Sequence, residues 1–309
     1  MIVPKTPQLR RMLQYVGLPL LLLAGFDLAV VVAYNGFHLE WVALPNIPLA
    51  LYGSAIGIIL GFRNNSAYSR WWEARTLWGT VVNNSRSLGR QVTTGMRANG
   101  AAEAAELKEV QRCMVYHQIA FVHALRQHLR GLEPWWELKP LLESAGCSVD
   151  EMKGLSEQKN LPLALQQRMG RMLDDCLERG WMDPMQWRAM DESLNDLVDA
   201  QGGAERIKNT PMPKQYDYFP QFFVQIYCVL LPLALVTSMG WFTPLGSTLV
   251  GFMFLALDKI GRDLEDPFDN TIYDIPMTAI SKTIETNLRQ MLGETELPEP
   301  EKPVAGVLW

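Results

Sequence analysis

The chain has 309 residues, 48% of them hydrophobic and 20% charged, with 28 basic against 33 acidic side chains and a formal net charge of -5. So much apolar content with so little net charge excludes a disordered chain, and the lack of a basic excess speaks against nucleic acid as a partner. The four cysteines (Cys113, Cys147, Cys176 and Cys228) are far apart and never spaced CxxC, so neither a zinc ribbon nor a disulfide framework is indicated.

Charge is strongly segregated along the chain. Between Arg11 and Arg63 the only ionisable acids or bases are Asp27, His38 and Glu40, and between Asp217 and Asp258 there are none. A bilayer core takes about 20 apolar residues of helix, and each block holds two such helices and a turn. The first block predicts helices over 12–34 and 47–62 with a turn through 35–46. The second predicts helices over 219–241 and 249–260 with a turn at 243–246. A buried hairpin inside a large soluble protein is the alternative, but apolar runs this long seldom occur twice in such a chain. A cleaved signal peptide over 1–34 fits poorly, because the apolar stretch outruns an h-region of about 7–15 residues.

Lys5, Arg10 and Arg11 precede the first helix, and Arg63 and Arg70 follow the second. Lys208 and Lys214 precede the third, and Lys259 and Arg262 follow the fourth, whereas the two turns contain no Lys or Arg. The positive-inside rule then puts both termini and the middle of the chain in the cytoplasm, with Trp41 and Trp241 at the outer rim. The predicted fold is an all-α membrane protein. Residues 1–62 form an N-terminal segment with transmembrane helices one and two. A helical cytoplasmic region covers 63–216, helices three and four 217–260, and a cytoplasmic C-terminal segment 261–309.

In the second helix Gly53, Gly57 and Gly61 recur every four residues, a stripe along which a neighbouring helix approaches closely. One position along run Ser54, Ile58 and Phe62. On spacing alone these pack against other helices or lipid, or face the axis of a ring of identical subunits. The proline-free stretch beyond Arg63 predicts that this helix continues into the cytoplasm. The middle region carries helical apolar spacings (Met114, Ile119, Val122, Leu125; Leu161, Leu165, Met169, Met172, Leu173), with breaks at 99–100, 131–134, 146, 160–162 and 180–184. His117, His123 and His128 do not share a helix face, which reads as packed or exposed histidines rather than a metal site. Met182, Met185 and Met190 read as core filling. Asp27 is an intramembrane acid without an obvious partner, and the proline-rich tail from Pro298 reads as extended or mobile. No nucleophile with a supporting base, phosphate-binding glycine loop or HExxH appears, so no enzyme is expected, no cofactor is implied, and a metal is left open.

The run Gly61-Phe62-Arg63-Asn64-Asn65, with Tyr68, Arg70-Trp71-Trp72-Glu73 and Leu77-Trp78-Gly79, resembles the signature of the bestrophin family. Glu205-Arg206, Asn209-Thr210-Pro211, Pro213, Glu265-Asp266-Pro267-Phe268 and Asp274-Ile275-Pro276 follow in the family's order. The resemblance spans nearly the whole chain and is strongest to short bacterial members and plant thylakoid chloride-channel relatives. It implies a homopentamer in the cytoplasmic membrane, whose second helices line a neck at Ser54, Ile58 and Phe62, and a cytoplasmic aperture at Met185 after Asp183-Pro184. It also implies a passive channel for monovalent ions, chloride above all, with monovalent cations such as sodium as the alternative. Animal members carry an aromatic residue at the middle neck position, where this chain has Ile58. The acidic calcium clasp of those members reads here Asp269-Asn270-Thr271-Ile272-Tyr273-Asp274, with Thr271 in place of an acid, which implies no tight calcium gate. A membrane-anchored scaffold or regulatory subunit is the reading from another class, and it requires an apolar patch on the helical segment around 73–90.

Overall fold

The structure, a computed structural model, describes residues 1–2, 9–44 and 48–309. The helices are α1 (Leu9–Val16), α2 (Leu18–Val31), α3 (Leu49–Gly95), α4 (Ala101–Arg130), α5 (Trp135–Ser144), α6 (Val149–Ser156), α7 (Leu161–Glu178), α8 (Pro184–Asn209), α9 (Gln215–Met239), α10 (Thr243–Glu265) and α11 (Met277–Met291). Among the described residues there is no β-sheet, only isolated bridges of Val307 with Ile2 and Val304. The chain divides into two compact units. One is Pro211–Asp266 with the chain up to Trp71, and the other is Trp72–Thr210 with Pro267–Trp309 and the first residues.

Helix α3 is 47 residues long and runs on past residue 62 as expected, since no proline removes a backbone donor from it. Its buried positions Ile56, Leu60, Arg63, Ala67, Ala74, Trp78, Val81, Ser85 and Leu88 recur at the period that keeps one face turned inward. At its C-terminal end Gln111 and Gln186 donate to the carbonyls of Val92 and Gly95 at 2.8 and 3.0 Å, satisfying acceptors that a helix end leaves free.

In the unit that contains Pro211–Asp266, α10 packs against α2 and α9. Leu23, Ile56, Leu60, Val224, Cys228 and Leu231 form its core, and the Tyr227 and Phe254 rings meet edge to face with centroids 5.0 Å apart. Its surface is apolar too: Leu21, Leu22, Phe222, Leu245, Leu249 and Met253 are all exposed, the pattern of a surface solvated by lipid. Among the described residues, Leu18–Gly36 and Gln215–Glu265 are long and apolar enough to cross a membrane.

Three local expectations need correction. The predicted first helix is broken at Gly17, whose φ of 56° lies in the left-handed region that glycine tolerates; Pro19 then sits in the first turn of α2, where no donor is lost. The second turn comes earlier than expected, at Gly240–Phe242, and 243–246 are already helical because Pro244 starts α10. Asp27 does have partners: Ser247 Oγ and Thr248 Oγ1 on α10 donate to its carboxylate at 3.0 and 2.8 Å, tying α2 to α10.

In the other unit α4 is buried nearly all round from Met114 onward, with α5, α7 and α11 packed on the helix. Both helical stripes read from the sequence lie in this core. So do polar groups. His123 Nδ1 is 3.1 Å from Glu137 Oε1 and its Nε2 3.0 Å from Glu285 Oε2, with Arg126 donating to Glu137 and Arg289 to Glu285. Burial alone lowers the His123 pKa, but the two carboxylates outweigh it and the net shift is upward. Burial works against ionised Glu137, but the bonds from His123 and Arg126 bring it down to about 2. The three histidines have separate partners: the His117 ring lies between the Cys113 and Cys147 sulfurs, 3.6 Å from each, and His128 pairs with Glu205 at 3.4 Å. Met182 and Met190 are buried, whereas Met185 is exposed. The tail from Pro298 is extended and held in place. Lys282 Nζ donates to Glu301 at 2.5 Å, and the Ala279 N–H to the Trp309 carbonyl at 2.7 Å.

Candidate ion pathway

The upper part of α3 has four differently surrounded sides. Ile56, Leu60 and Arg63 face the core of their unit. Some 200° round the helix, at 100° per residue, run Ser54, Ile58 and Phe62. Ile58 is 60% and Phe62 69% exposed, and the Ser54 hydroxyl donates to the Ala50 carbonyl at 2.7 Å. The polar group of Ser54 is thereby satisfied within the helix, leaving an uncharged and largely apolar collar. On one flank lie the glycines. A Cβ at Gly53 would come within 2.7 Å of the Tyr227 hydroxyl, but at Gly57 and Gly61 nothing among the described residues lies within 4 Å. Among them, close packing on this stripe is therefore confined to Gly53. On the other flank Tyr52, Ala55 and Ile59 line a hollow of about 450 Å³ with Phe223, Ile226 and Leu230.

Directly below the collar is a charge cluster that the sequence reading missed. Arg63 is buried, with Nη1 2.7 Å from Asp258 Oδ1 and 3.7 Å from Asp217, and it also donates to the Asp258 carbonyl. Arg262 reaches the other Asp258 oxygen at 3.0 Å. Asn64 donates to the Leu257 carbonyl at 2.8 Å. This close approach needs Gly261, where a Cβ would come within 2.5 Å of Arg63 Nη2. Asp217 and Asp258 bound the uncharged block in sequence, which is the one signal that pointed to them.

The remaining signature residues divide between the units. Arg70 Nε donates to the Glu265 carbonyl at 2.7 Å and lies 3.9 Å from Asp266. Trp71 is half-buried and Trp72 exposed. Glu73 pairs with Arg206. After Pro267, Phe268 and Asp274 are both buried. The Thr271 hydroxyl and N–H donate to the Asp274 carboxylate, so threonine closes this loop where the animal members place an acid. Burial raises the Asp274 pKa, these bonds work the other way, and the net shift is upward. Met185, 72% exposed, sits in the first turn of α8, its N–H held at 2.8 Å by the Asp183 carboxylate. The exposed positions of α3 over 73–90 are Glu73, Arg75, Thr76, Asn83, Arg86 and Arg90, all polar, so the apolar patch that a scaffold needs is missing there.

The profile described as Bacterial/Fungal Bestrophin protein matches residues 10–290. A voltage-dependent anion channel-forming protein of Mesorhizobium japonicum is 32% identical over 271 residues, covering 88% of this chain and 83% of its own. One of Escherichia coli K12 is 34% identical over 278 residues, covering 88% and 85%. The crystal structure of a bacterial bestrophin homologue from Klebsiella pneumoniae superposes with a TM-score of 0.81 at 31% identity, covering 90% of this chain and 98% of that one.

Proposed function

The chain belongs to the bacterial and fungal bestrophin family, a family of membrane channels rather than enzymes, and from that premise we propose that it is a passive anion channel assembled as a homopentamer, with Ser54, Ile58 and Phe62 forming the neck. The observation that carries the reading is the collar: two large apolar side chains left uncovered on the side of α3 opposite its buried face. A closed ring of identical subunits is heterologous, so two different surfaces of each copy meet. The glycine flank and the Ile59 flank supply two such surfaces, and the collar between them turns to the axis.

A ring of Ile58 and Phe62 gates by excluding water, and hydrated ions pass when it widens. Phe62 offers an electropositive ring edge, no acidic side chain stands on the collar, and the relatives are named as anion channel-forming proteins. Monovalent anions, chloride above all, are the proposed cargo. Ile58, aliphatic at the middle level, favours a second reading, a channel for monovalent cations. Met185, exposed at the start of α8, is the proposed cytoplasmic aperture. The basic flanks of the apolar blocks favour a multi-pass protein of the cytoplasmic membrane, with four spans and both termini inside. The test is the reversal potential of purified protein in a planar bilayer under a potassium chloride gradient. An anion-signed value supports the reading, a cation-signed value replaces the ion, and absence of current refutes the channel. The mass of the detergent-solubilised particle tests the pentamer.

A further inference from the structure

A groove between α2, α9 and α10, open at the surface of their unit, grades from polar to apolar along its length. It has a volume of about 360 Å³ and is lined by Pro19, Leu22 and Phe26 of α2, by Gln221, Gln225, Cys228 and Val229 of α9, and by Leu255, Asp258 and Arg262 of α10. Because α9 and α10 run in opposite senses through this unit, Gln221 and Arg262 share one end, while Phe26, Cys228 and Val229 mark the other. The eight residues from Gln221 to Val229 correspond to about 12 Å of helix rise. None of the groove belongs to α3, the helix that carries the collar.

The polar end is unfinished. The side chains of Gln221 and Gln225, one turn apart, have no hydrogen-bond partner among the described residues. An amide facing hydrocarbon without a partner is costly. Arg262 uses one Nη2 contact on Asp258, and its side chain is 39% exposed. Both Asp258 oxygens are held by guanidinium groups, at 2.7 Å from Arg63 and 3.0 Å from Arg262, so the carboxylate that lines the groove is neutralised. The nearby Asp217 pairs with Arg63 at 3.7 Å and does not line the groove. What remains is a partly free guanidinium fork beside two free amides, at the foot of an apolar channel open at the surface of a unit whose exposed residues are largely apolar. A guanidinium matches the oxygens of a phosphate, and basic pockets between transmembrane helices are a known form of lipid head-group site.

We propose that this groove holds a membrane glycerophospholipid, its phosphate on Arg262, Gln221 and Gln225 and one acyl chain against Leu22, Phe26 and Val229. The inference rests on the membrane location and not on the ion-channel reading. The test is native mass spectrometry of the delipidated full chain in detergent, titrated with dioleoyl phosphatidylglycerol and with dioleoylglycerol, which has the same chains and no phosphate. The expected result is one tightly bound phosphatidylglycerol per chain, with dioleoylglycerol at least tenfold weaker. Arg262→Gln and the double variant Gln221→Leu/Gln225→Leu should each weaken phosphatidylglycerol at least fivefold and leave dioleoylglycerol unchanged. The double variant stands alone if the arginine variant does not fold. Equal binding of the two lipids, or wild-type phosphatidylglycerol binding by the double variant, overturns the proposal. So does a change in the number of copies per particle in that variant, which would make the groove a contact between subunits.

Discussion

Glu137→Gln isolates the electrostatics of the buried network around His123. Glu137 accepts from His123 Nδ1 at 3.1 Å, from Gln127 Nε2 at 2.8 Å and from Arg126, and its pKa falls from 4.5 to about 2. A depressed carboxylate pKa contributes stability above its unfolded value, and that contribution is lost as pH falls through the folded value. At about 1.36 kcal/mol per unit, the ionised group is worth roughly 3 kcal/mol at pH 7 and about 1.4 kcal/mol at pH 3. The variant should therefore be less stable by roughly 3 kcal/mol at neutral pH, with the gap closing by about half at pH 3. His123 adds the opposite slope at the alkaline end. Its pKa is raised, so its contribution is full below about 6.5 and is lost as pH rises through the folded value, earlier when one carboxylate is gone. Denaturant unfolding in detergent, followed by the emission of the adjacent Trp135 and Trp136, reads the difference. A variant within about 1 kcal/mol of wild type at pH 7, or a gap that does not shrink between pH 5 and pH 3, refutes the reasoning.

Phe62→Ala should raise single-channel conductance by removing the largest ring of the proposed neck, and an unaltered current means that Phe62 does not line it. Ile58→Phe should move the reversal potential toward the anion limit, and a potential that stays put removes Ile58 from the selectivity step. Arg63→Leu leaves one oxygen of buried Asp258 unpaired and takes the partner from half-buried Asp217, a loss of about 3–5 kcal/mol. The double variant Arg63→Leu/Asp258→Leu should melt at a higher temperature than the single one, and a double variant that melts lower contradicts the pairing. Gly57→Leu should leave the helix content of the chain intact, since no described residue lies within 4 Å of a Cβ there, yet reduce the mass of the particle. An unchanged mass shows that this flank is not a subunit contact.

Local chemistry made the helix breaks legible. Asn99-Gly100, Gly131 to Pro134 and Gly146 fall between helices, and Asn160 to Pro162 and Gly180 to Pro184 mark the junctions at which α7 and α8 begin, their prolines in the first helical turn, because glycine and proline act on their own few dihedrals. The same logic applied to Gly17-Leu18-Pro19 and to Gly240 would have found the break after α1 and the early turn before α10. An apolar run long enough for a whole span concealed both. The charged partners were illegible for a different reason. Arg63 and Asp258 are 195 positions apart and His123 and Glu285 162 apart, and no periodicity in one helix reports what a distant helix places against it.

The collar shows the same limit from the other side. Spacing put Ser54, Ile58 and Phe62 on one stripe, but a stripe facing lipid, a neighbour or an axis has the same period. What separates these readings is the surroundings of the other sides of α3: the buried face, the open glycines and the hollow beside Ile59. Arg63 follows Phe62 directly, about 100° further round the helix, and left unpaired it would put a fixed positive charge at the edge of the collar. Asp258 and Asp217 draw it into the helical core instead. In the proposed channel, Arg63 therefore anchors the foot of the neck without charging it, and anion preference has to come from Phe62 and the widening of the ring. Releasing that arginine with Asp258→Asn should make the current more strongly rectifying and more anion-selective. An Asp258→Asn channel with wild-type rectification and selectivity would show that Arg63 stays off the pathway without Asp258 to hold it.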